Sequence, residues 1–233
     1  MLSTVPAAEK CNANALNSHR SFPRDALPNI FVGVGSSQHR IALQHLIAQG
    51  FSRTYNASLQ SFMPVLLGAG GTKPYAALGV RSASSTLFVE TYMPAPVETM
   101  LAHTNIAVKR AQIAEIGNLY SRHGSYTQPL LLATALGLLQ LNYSVMVFTA
   151  TTQLRALMTN IGLPLTYLCE ASKHSLGSEG GEWGTYYDTQ PQVVAMRISE
   201  IPRLITESET VSKMFDCMES RLPDIANTLR AYL

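Results

Sequence analysis

The chain carries little charge for its length. Charged residues make up 14% of its 233 residues and the formal net charge is +2, whereas charged residues average about 25% in globular proteins. No dense run of Lys and Arg occurs, so the basic surface typical of nucleic-acid-binding proteins is missing. Hydrophobic residues reach 46%. The composition argues against nucleic acid as a partner and predicts a chain with a large buried core or a partner-facing surface.

Cysteine is also scarce. Cys11, Cys169 and Cys217 are widely spaced and form no CxxC pair, which argues against a disulfide framework and fits a reducing compartment. The histidines show no spacing typical of metal ligands, so we predict no metal site. The cysteine usage favours the cytoplasm.

A signal peptide and a membrane span are not indicated. Residues 1–28 lack an apolar core and carry Lys10 and Arg20 where that core would lie, and we predict a loose N-terminal leader. The segment from Gly124 to Gln153 is uncharged, and its part from Pro129 to Ala150 is long enough for a membrane span of about 20 residues. Its second half is β-branched and aromatic, as in a strand. We therefore predict a buried helix followed by a buried strand.

Hydrophobic periodicity predicts an α/β domain over residues 29–200 and a C-terminal helical extension over 201–233. A first strand over 30–34 precedes a helix that Ser36 or Ser37 caps. Two strands joined by a turn follow, and then an extended, strand-like run over 86–93 that contains Glu90. The predicted order is one strand, a helix, about three strands, a helix, a strand, a helix and two further strands, followed by the helical tail.

The stretch from Ala114 to Ala150 is the most informative part of the sequence. It predicts a buried strand that contains Glu115, a glycine turn, a long apolar helix and a second buried strand. A strand that opens into a helix N-terminus presents unpaired backbone N–H groups, which can bind phosphate or thioester oxygen. The sequence therefore predicts a substrate cradle beside a carboxylate.

Several separated motifs resemble the bacterial thermostable hemolysin family. They are LFVETY at 87–92, EIGNLYS at 115–121, FTAT at 148–151, GLPL at 162–165 and WGTYYD at 183–188. The resemblance covers residues 30–198. The order of elements resembles the GNAT-like acyltransferase fold, including its autoinducer-synthase branch. It implies an α/β (α+β) fold with a mixed, mostly antiparallel central sheet flanked by helices. It also implies transfer of an acyl group from a pantetheine thioester.

Two departures from the acetyltransferase pattern bear on the donor and on the proton chemistry. The turn at 121–126 keeps only Gly124 of the usual pyrophosphate-binding glycine pattern. Met158 stands where these enzymes often have a tyrosine acid. The first departure weakens the case for acetyl-CoA and leaves a long-chain acyl-CoA or an acyl carrier protein as donor.

Attack of an amine on a thioester needs a base and a donor to the oxyanion. Glu90 and Glu115 are the candidate bases, and the hydroxyl of Tyr187 is a candidate replacement for the missing acid. The alternative for both carboxylates is a structural ion pair, which for Glu115 would involve Arg110 or Arg155.

The remaining candidates divide into donor-binding and acceptor-binding groups. The donor-binding candidates are Ile116, Gly117, Asn118, Leu119, Arg122, Gly124, Ser125 and Thr149. The acceptor-binding candidates are the aromatic residues Tyr92, Trp183 and Tyr186. Turn capping by Asn118, a solvated turn at Arg122 and core packing of Trp183 are the structural alternatives.

We therefore predict an N-acyltransferase that uses coenzyme A or a phosphopantetheine thioester as substrate, acts on an amine-type small molecule and needs no prosthetic group. The helical tail favours a homodimer. The alternative is a lipid-binding or membrane-disrupting protein, which would need an exposed apolar face, and the tail is the only candidate for it.

Overall fold

Seven strands of the described residues form one mixed sheet. The computed structural model describes residues 28–233, so the predicted leader lies outside the described residues except for its last position. The strands are β1 (Asn29–Gly33), β2 (Val65–Gly70), β3 (Pro74–Ser82), β4 (Ile113–Ser121), β5 (Val145–Ala150), β6 (Leu165–Glu170) and β7 (Gln192–Arg197). Their order in the sheet is β1-β2-β3-β4-β5-β7-β6. Only β4 and β5 pair in parallel, so the mostly antiparallel sheet is confirmed.

Helices cover both faces of this sheet. They are α1 (Gln38–Tyr55), α2 (Val97–His103), α3 (Thr127–Leu139), α4 (Thr152–Asn160), α5 (Ile201–Glu207), α6 (Glu209–Met218) and α7 (Leu222–Tyr232). The predicted cap of α1 is Ser37, whose hydroxyl accepts the backbone N–H of Arg40. Leu43, Ile47 and Phe51 of α1 are buried against one face of the sheet. Ile41, at the same helical spacing in the sequence, is 61% exposed, so only part of the apolar spacing in α1 packs against the sheet.

The helix α3 is apolar on all sides because it lies between two layers. One side packs on the sheet and the opposite side on α6 and α7. Gly137 permits this approach, since a Cβ there would lie 2.8 Å from Cγ2 of Ile225. In the part of the chain that the structure describes, no helix is long and apolar enough to cross a membrane. The predicted buried helix is confirmed.

The C-terminal extension forms three short helices that close the core. Leu204, Met214, Leu222 and Leu229 are buried on the side that faces α3. The apolar face of the tail therefore covers the protein's own core. This is not the exposed face that a membrane-disrupting helix needs.

The prediction of an extended run over 86–93 was wrong. The segment forms a 3-10 turn over Val89–Tyr92, so Glu90 does not lie on a strand. The carboxylate of Glu115 accepts the backbone N–H groups of Phe88 and Val89 at 2.9 and 2.8 Å and thereby caps this turn. A contact from a distant strand overrides the local preference of a β-branched and aromatic run.

The strands β4 and β5 separate along their length. They pair only from Ile113 opposite Val145 to Ile116 opposite Phe148. Beyond that point β4 continues with a bulge in which Asn118 has a φ of 52°. The two parallel strands therefore part in the middle of the sheet and open a cleft.

Candidate active site

The cleft between β4 and β5 has a cavity volume of about 180 Å³. Most of the residues predicted from the sequence to form the site line it, and they come from the two strands and from the aromatic segments above them. They are Tyr92, Glu115, Ile116, Gly117, Asn118, Leu119, Thr149, Trp183 and Tyr186. The structure therefore brings predicted donor-binding and acceptor-binding residues to one cavity.

Glu115 is a buried carboxylate in the wall of this cleft. Its side chain is 1% exposed and lies 3.9 Å from Nη1 of Arg81. Burial raises the pKa of Glu115, and the two backbone N–H groups that it accepts, together with Arg81, oppose that rise. The sequence suggested Arg110 or Arg155 as its ion-pair partner, and that was wrong. Arg110 is held by other carboxylates, and Arg155 donates to the carbonyl oxygen of Ala150.

Glu90 lies outside the cleft. Both of its oxygens accept from Arg110, at 2.7 and 2.9 Å, and they also accept the backbone N–H groups of Leu87 and Val97. The hydrogen bonds from Arg110 lower the pKa of Glu90 to about 2, against the effect of burial. A carboxylate held in this way is a poor proton acceptor at neutral pH. The placement supports the structural ion pair that the sequence left open for this residue.

A cluster of aromatic rings forms another part of the cleft wall. The ring of Trp183 lies 5.3 to 6.2 Å from those of Phe51, Phe88 and Tyr186, measured between centroids. Sequence reasoning missed Phe51 and Phe88. The four-residue spacing of Phe51 and Tyr55 on one side of α1 was the available signal, but nothing in it indicated a contact with residues more than 120 positions away.

Two tyrosine hydroxyls meet beside this wall. The hydroxyl oxygens of Tyr92 and Tyr187 are 2.6 Å apart, with Tyr92 lining the cleft and Tyr187 half-buried behind it. Burial raises the pKa of both residues. Both hydroxyls therefore stay protonated at neutral pH, which suits them to donate hydrogen bonds rather than to give up a proton.

The loop over 57–64 forms the roof of the cleft, and Asn118 holds this roof in place. The side-chain oxygen of Asn118 accepts the backbone N–H of Met63 at 3.0 Å. The same roof is joined to the segment over 182–185, because Ser58 N–H donates to the carbonyl oxygen of Glu182 at 2.7 Å. The amide of Asn118 is thus engaged with a loop that is distant in sequence and does not cap its own turn, and Asn118 also lines the cleft.

The turn before α3 lies outside the cavity lining and is open to solvent. Arg122 and Ser125 are exposed, and Gly124 begins a short 3-10 turn that leads into α3. The ring of Tyr75 stacks on Tyr126 of this turn at 5.5 Å. Within residues 28–233, no group of three or more His, Cys, Asp or Glu side chains is arranged to hold a metal ion.

Comparisons with known proteins identify the fold and the family. The acyl-homoserine lactone synthase BjaI, in complex with SAM and isopentyl-CoA, aligns at 12% identity over 84% of this chain and 90% of its own, with a TM-score of 0.53. FeeM, an N-acyl amino acid synthase from uncultured soil microbes, aligns at 11% identity over 79% and 97%, with a TM-score of 0.50. The AHL synthase LasI aligns at 13% identity over 73% and 91%, with a TM-score of 0.50.

These similarities confirm the acyltransferase-type fold that the order of elements predicted. No curated protein sequence matches the chain. The model of the thermostable hemolysin family matches residues 34–201, which include β4, β5 and every residue that lines the cleft. The chain belongs to the thermostable hemolysin family.

Proposed function

We propose that this protein is an N-acyltransferase that moves an acyl group from a pantetheine thioester to an amine-type small molecule. The observation that carries the proposal is the parting of β4 and β5 beside the buried carboxylate of Glu115. Structures that share the fold support it, since one of them is a synthase with isopentyl-CoA bound and another is an N-acyl amino acid synthase.

The thioester donor lies between the separated ends of the two strands. Beyond Ile116 and Phe148 the facing backbone groups of β4 and β5 are not paired with each other, and the amides of a pantetheine arm can satisfy them. Gly117 to Leu119 and Thr149 would hold this arm. Its phosphate would bind at the N-terminus of α3, near Arg122, where backbone N–H groups and the helix dipole favour an anion.

Glu115 accepts the proton of the acceptor. Each carboxylate oxygen already accepts one N–H and keeps lone-pair capacity for a second partner. The amine nitrogen then attacks the thioester carbonyl carbon. The C–N bond forms, the C–S bond breaks, and the sulfur leaves as a thiolate that takes up a proton. The products are an amide and the free thiol.

The aromatic wall orients the acceptor. Trp183, Tyr186 and Tyr92 all line the cleft, where aromatic side chains with polar groups can contact an acceptor. Tyr187 acts on the acceptor through Tyr92, because its hydroxyl meets that of Tyr92 and does not line the cavity. In this arrangement Tyr187 is a positioning residue.

Three finer points belong to the same proposal. The donor is an acyl-CoA or, as the alternative, an acyl group on a carrier protein. The reaction takes place in the cytoplasm, where the unpaired thiols of Cys169 and Cys217 fit the reducing conditions. A homodimer is the expected assembly.

The test is turnover by the purified chain. A series of acyl-CoA donors is mixed with a set of amines, and the reaction is followed by release of free thiol and by mass spectrometry of the amide. We expect thiol and amide to form in equal amounts. Leakage of dye from liposomes without consumption of any thioester would contradict the enzyme and favour the membrane-disrupting alternative.

A further inference from the structure

We propose that the acceptor is an α-amino acid and that Arg81 binds its carboxylate. This inference rests on the proposed acyl transfer and adds the chemical class of the second substrate. It comes from the charges that line the cleft and from where they stand on the sheet.

Arg81 and Glu115 are direct cross-strand neighbours. Arg81 on β3 lies opposite Glu115 on β4 in the antiparallel register, and both side chains line the cavity. Side chains of directly opposed residues emerge on the same face of a sheet. The cleft wall therefore presents a cation and a carboxylate side by side, with 3.9 Å between Nη1 and Oε2.

The guanidinium of Arg81 has hydrogen-bonding capacity left for a ligand. Among the described residues it donates one hydrogen bond, from Nη1 to the carbonyl oxygen of Thr86 at 3.2 Å, and a guanidinium has five N–H groups. Its side chain is 30% exposed, whereas that of Glu115 is 1% exposed. A planar fork with unused donors at a cleft is suited to bind a carboxylate.

No other charged side chain lines this cavity in the described part of the chain. An acceptor that carries only an amine would engage Glu115 and leave Arg81 without a ligand partner. An α-amino acid carries an ammonium and a carboxylate on one carbon, and so it complements the neighbouring pair. The rest of the acceptor would meet the rings of Phe88 and Trp183, which favours an apolar side chain.

The experiment compares two acceptors that differ only in the carboxylate. Phenylalanine and 2-phenylethylamine are each offered with the same acyl-CoA, and kcat/KM is measured from amide formation. For the wild-type chain we expect a preference for phenylalanine of about 10- to 100-fold, the range for a charge-assisted hydrogen-bonded pair. In Arg81→Gln the preference falls to near one, chiefly through a higher KM for phenylalanine. In Arg81→Lys part of the preference for phenylalanine remains.

Arg197→Gln is the matched control, because Arg197 is an exposed arginine on β7 that does not line the cavity. It should keep the wild-type preference. If the Arg81 variants fail to fold, the ratio for the wild-type chain still decides. Acylation of both acceptors at equal rates, or a preference for the amine, overturns the role of Arg81 and leaves the proposed acyl transfer standing. Absence of amide and thiol with every acceptor overturns both.

Discussion

Glutamine in place of Glu115 keeps the size of the side chain and removes its ability to accept a proton. General-base catalysis contributes about 10²- to 10⁴-fold to a rate, so we expect turnover to fall by that factor. The substitution also affects folding. One amide oxygen replaces two carboxylate oxygens that accept Phe88 N–H and Val89 N–H, so one of these buried donors loses its acceptor at a cost of about 1–3 kcal/mol.

This loss of stability is offset in part. The buried charge of Glu115 is unfavourable, as its raised pKa indicates, and the neutral amide of glutamine removes that charge. A decrease in Tm of a few degrees is expected, because about 1 kcal/mol corresponds to roughly 2–4 °C in a chain of this size. The assay measures kcat/KM well below the Tm of the variant, so that both proteins are folded.

Glu90→Gln is the matched control for this substitution. Glu90 also accepts two backbone N–H groups, from Leu87 and Val97, but it faces Arg110 outside the cleft. We expect a comparable or larger loss of stability with turnover close to that of the wild type. Since burial raises the pKa of Glu115, the wild-type rate should increase with pH through that pKa, and Glu115→Gln should lose this dependence. A Glu115→Gln variant with full activity would refute the assignment.

Three further predictions concern stability. The pKa of Glu90 is lowered from 4.5 to about 2. Its ion pair with Arg110 therefore stabilises the fold at any pH above 4.5, and this stabilisation is lost as the pH falls from 4.5 through about 2. Urea unfolding should show the gap between wild type and Glu90→Gln closing from pH 5 to pH 2. Leu229→Ala leaves a cavity where the fully buried Leu229 packs against α3 and should cost about 2–5 kcal/mol in the same measurement. Gly184 has a φ of 53°, and a Cβ there would collide with the carbonyl oxygen of Tyr55. Gly184→Ala should therefore lower the unfolding free energy by about 1–3 kcal/mol or more and loosen the aromatic wall, which near-ultraviolet circular dichroism would detect.

The sequence predicted those elements that are determined by the residues within them or directly beside them. The β-branched run at 145–150 forms a strand, and the hydroxyl of Ser37 caps a helix. The uniform apolarity of α3 predicted burial. The tail that covers its outer side could not be identified as the partner, because nothing in α3 itself specifies which surface packs there.

The incorrect predictions share one physical origin, which is contact between distant segments. The turn that contains Glu90 forms because Glu115, on a strand 25 residues later, accepts its N–H groups. The pairing of Arg81 with Glu115 follows from strand register. The aromatic wall joins α1 to a segment about 130 residues away. Two backbone hydrogen bonds link the same regions, from Ser58 N–H to the carbonyl oxygen of Glu182 and from Thr185 N–H to that of Tyr55. None of these partners is encoded in the local pattern.

The most direct test of the proposed thioester site is a structure of the chain crystallised with a non-hydrolysable acyl-CoA analogue. We expect the pantetheine arm to lie between β4 and β5, with its acyl carbonyl beside the bulge at Gly117 to Leu119 and within reach of Glu115. Its phosphates would contact the start of α3. An analogue bound elsewhere on the molecule, or a cleft that stays empty at a saturating concentration of the analogue, would contradict the proposed thioester site.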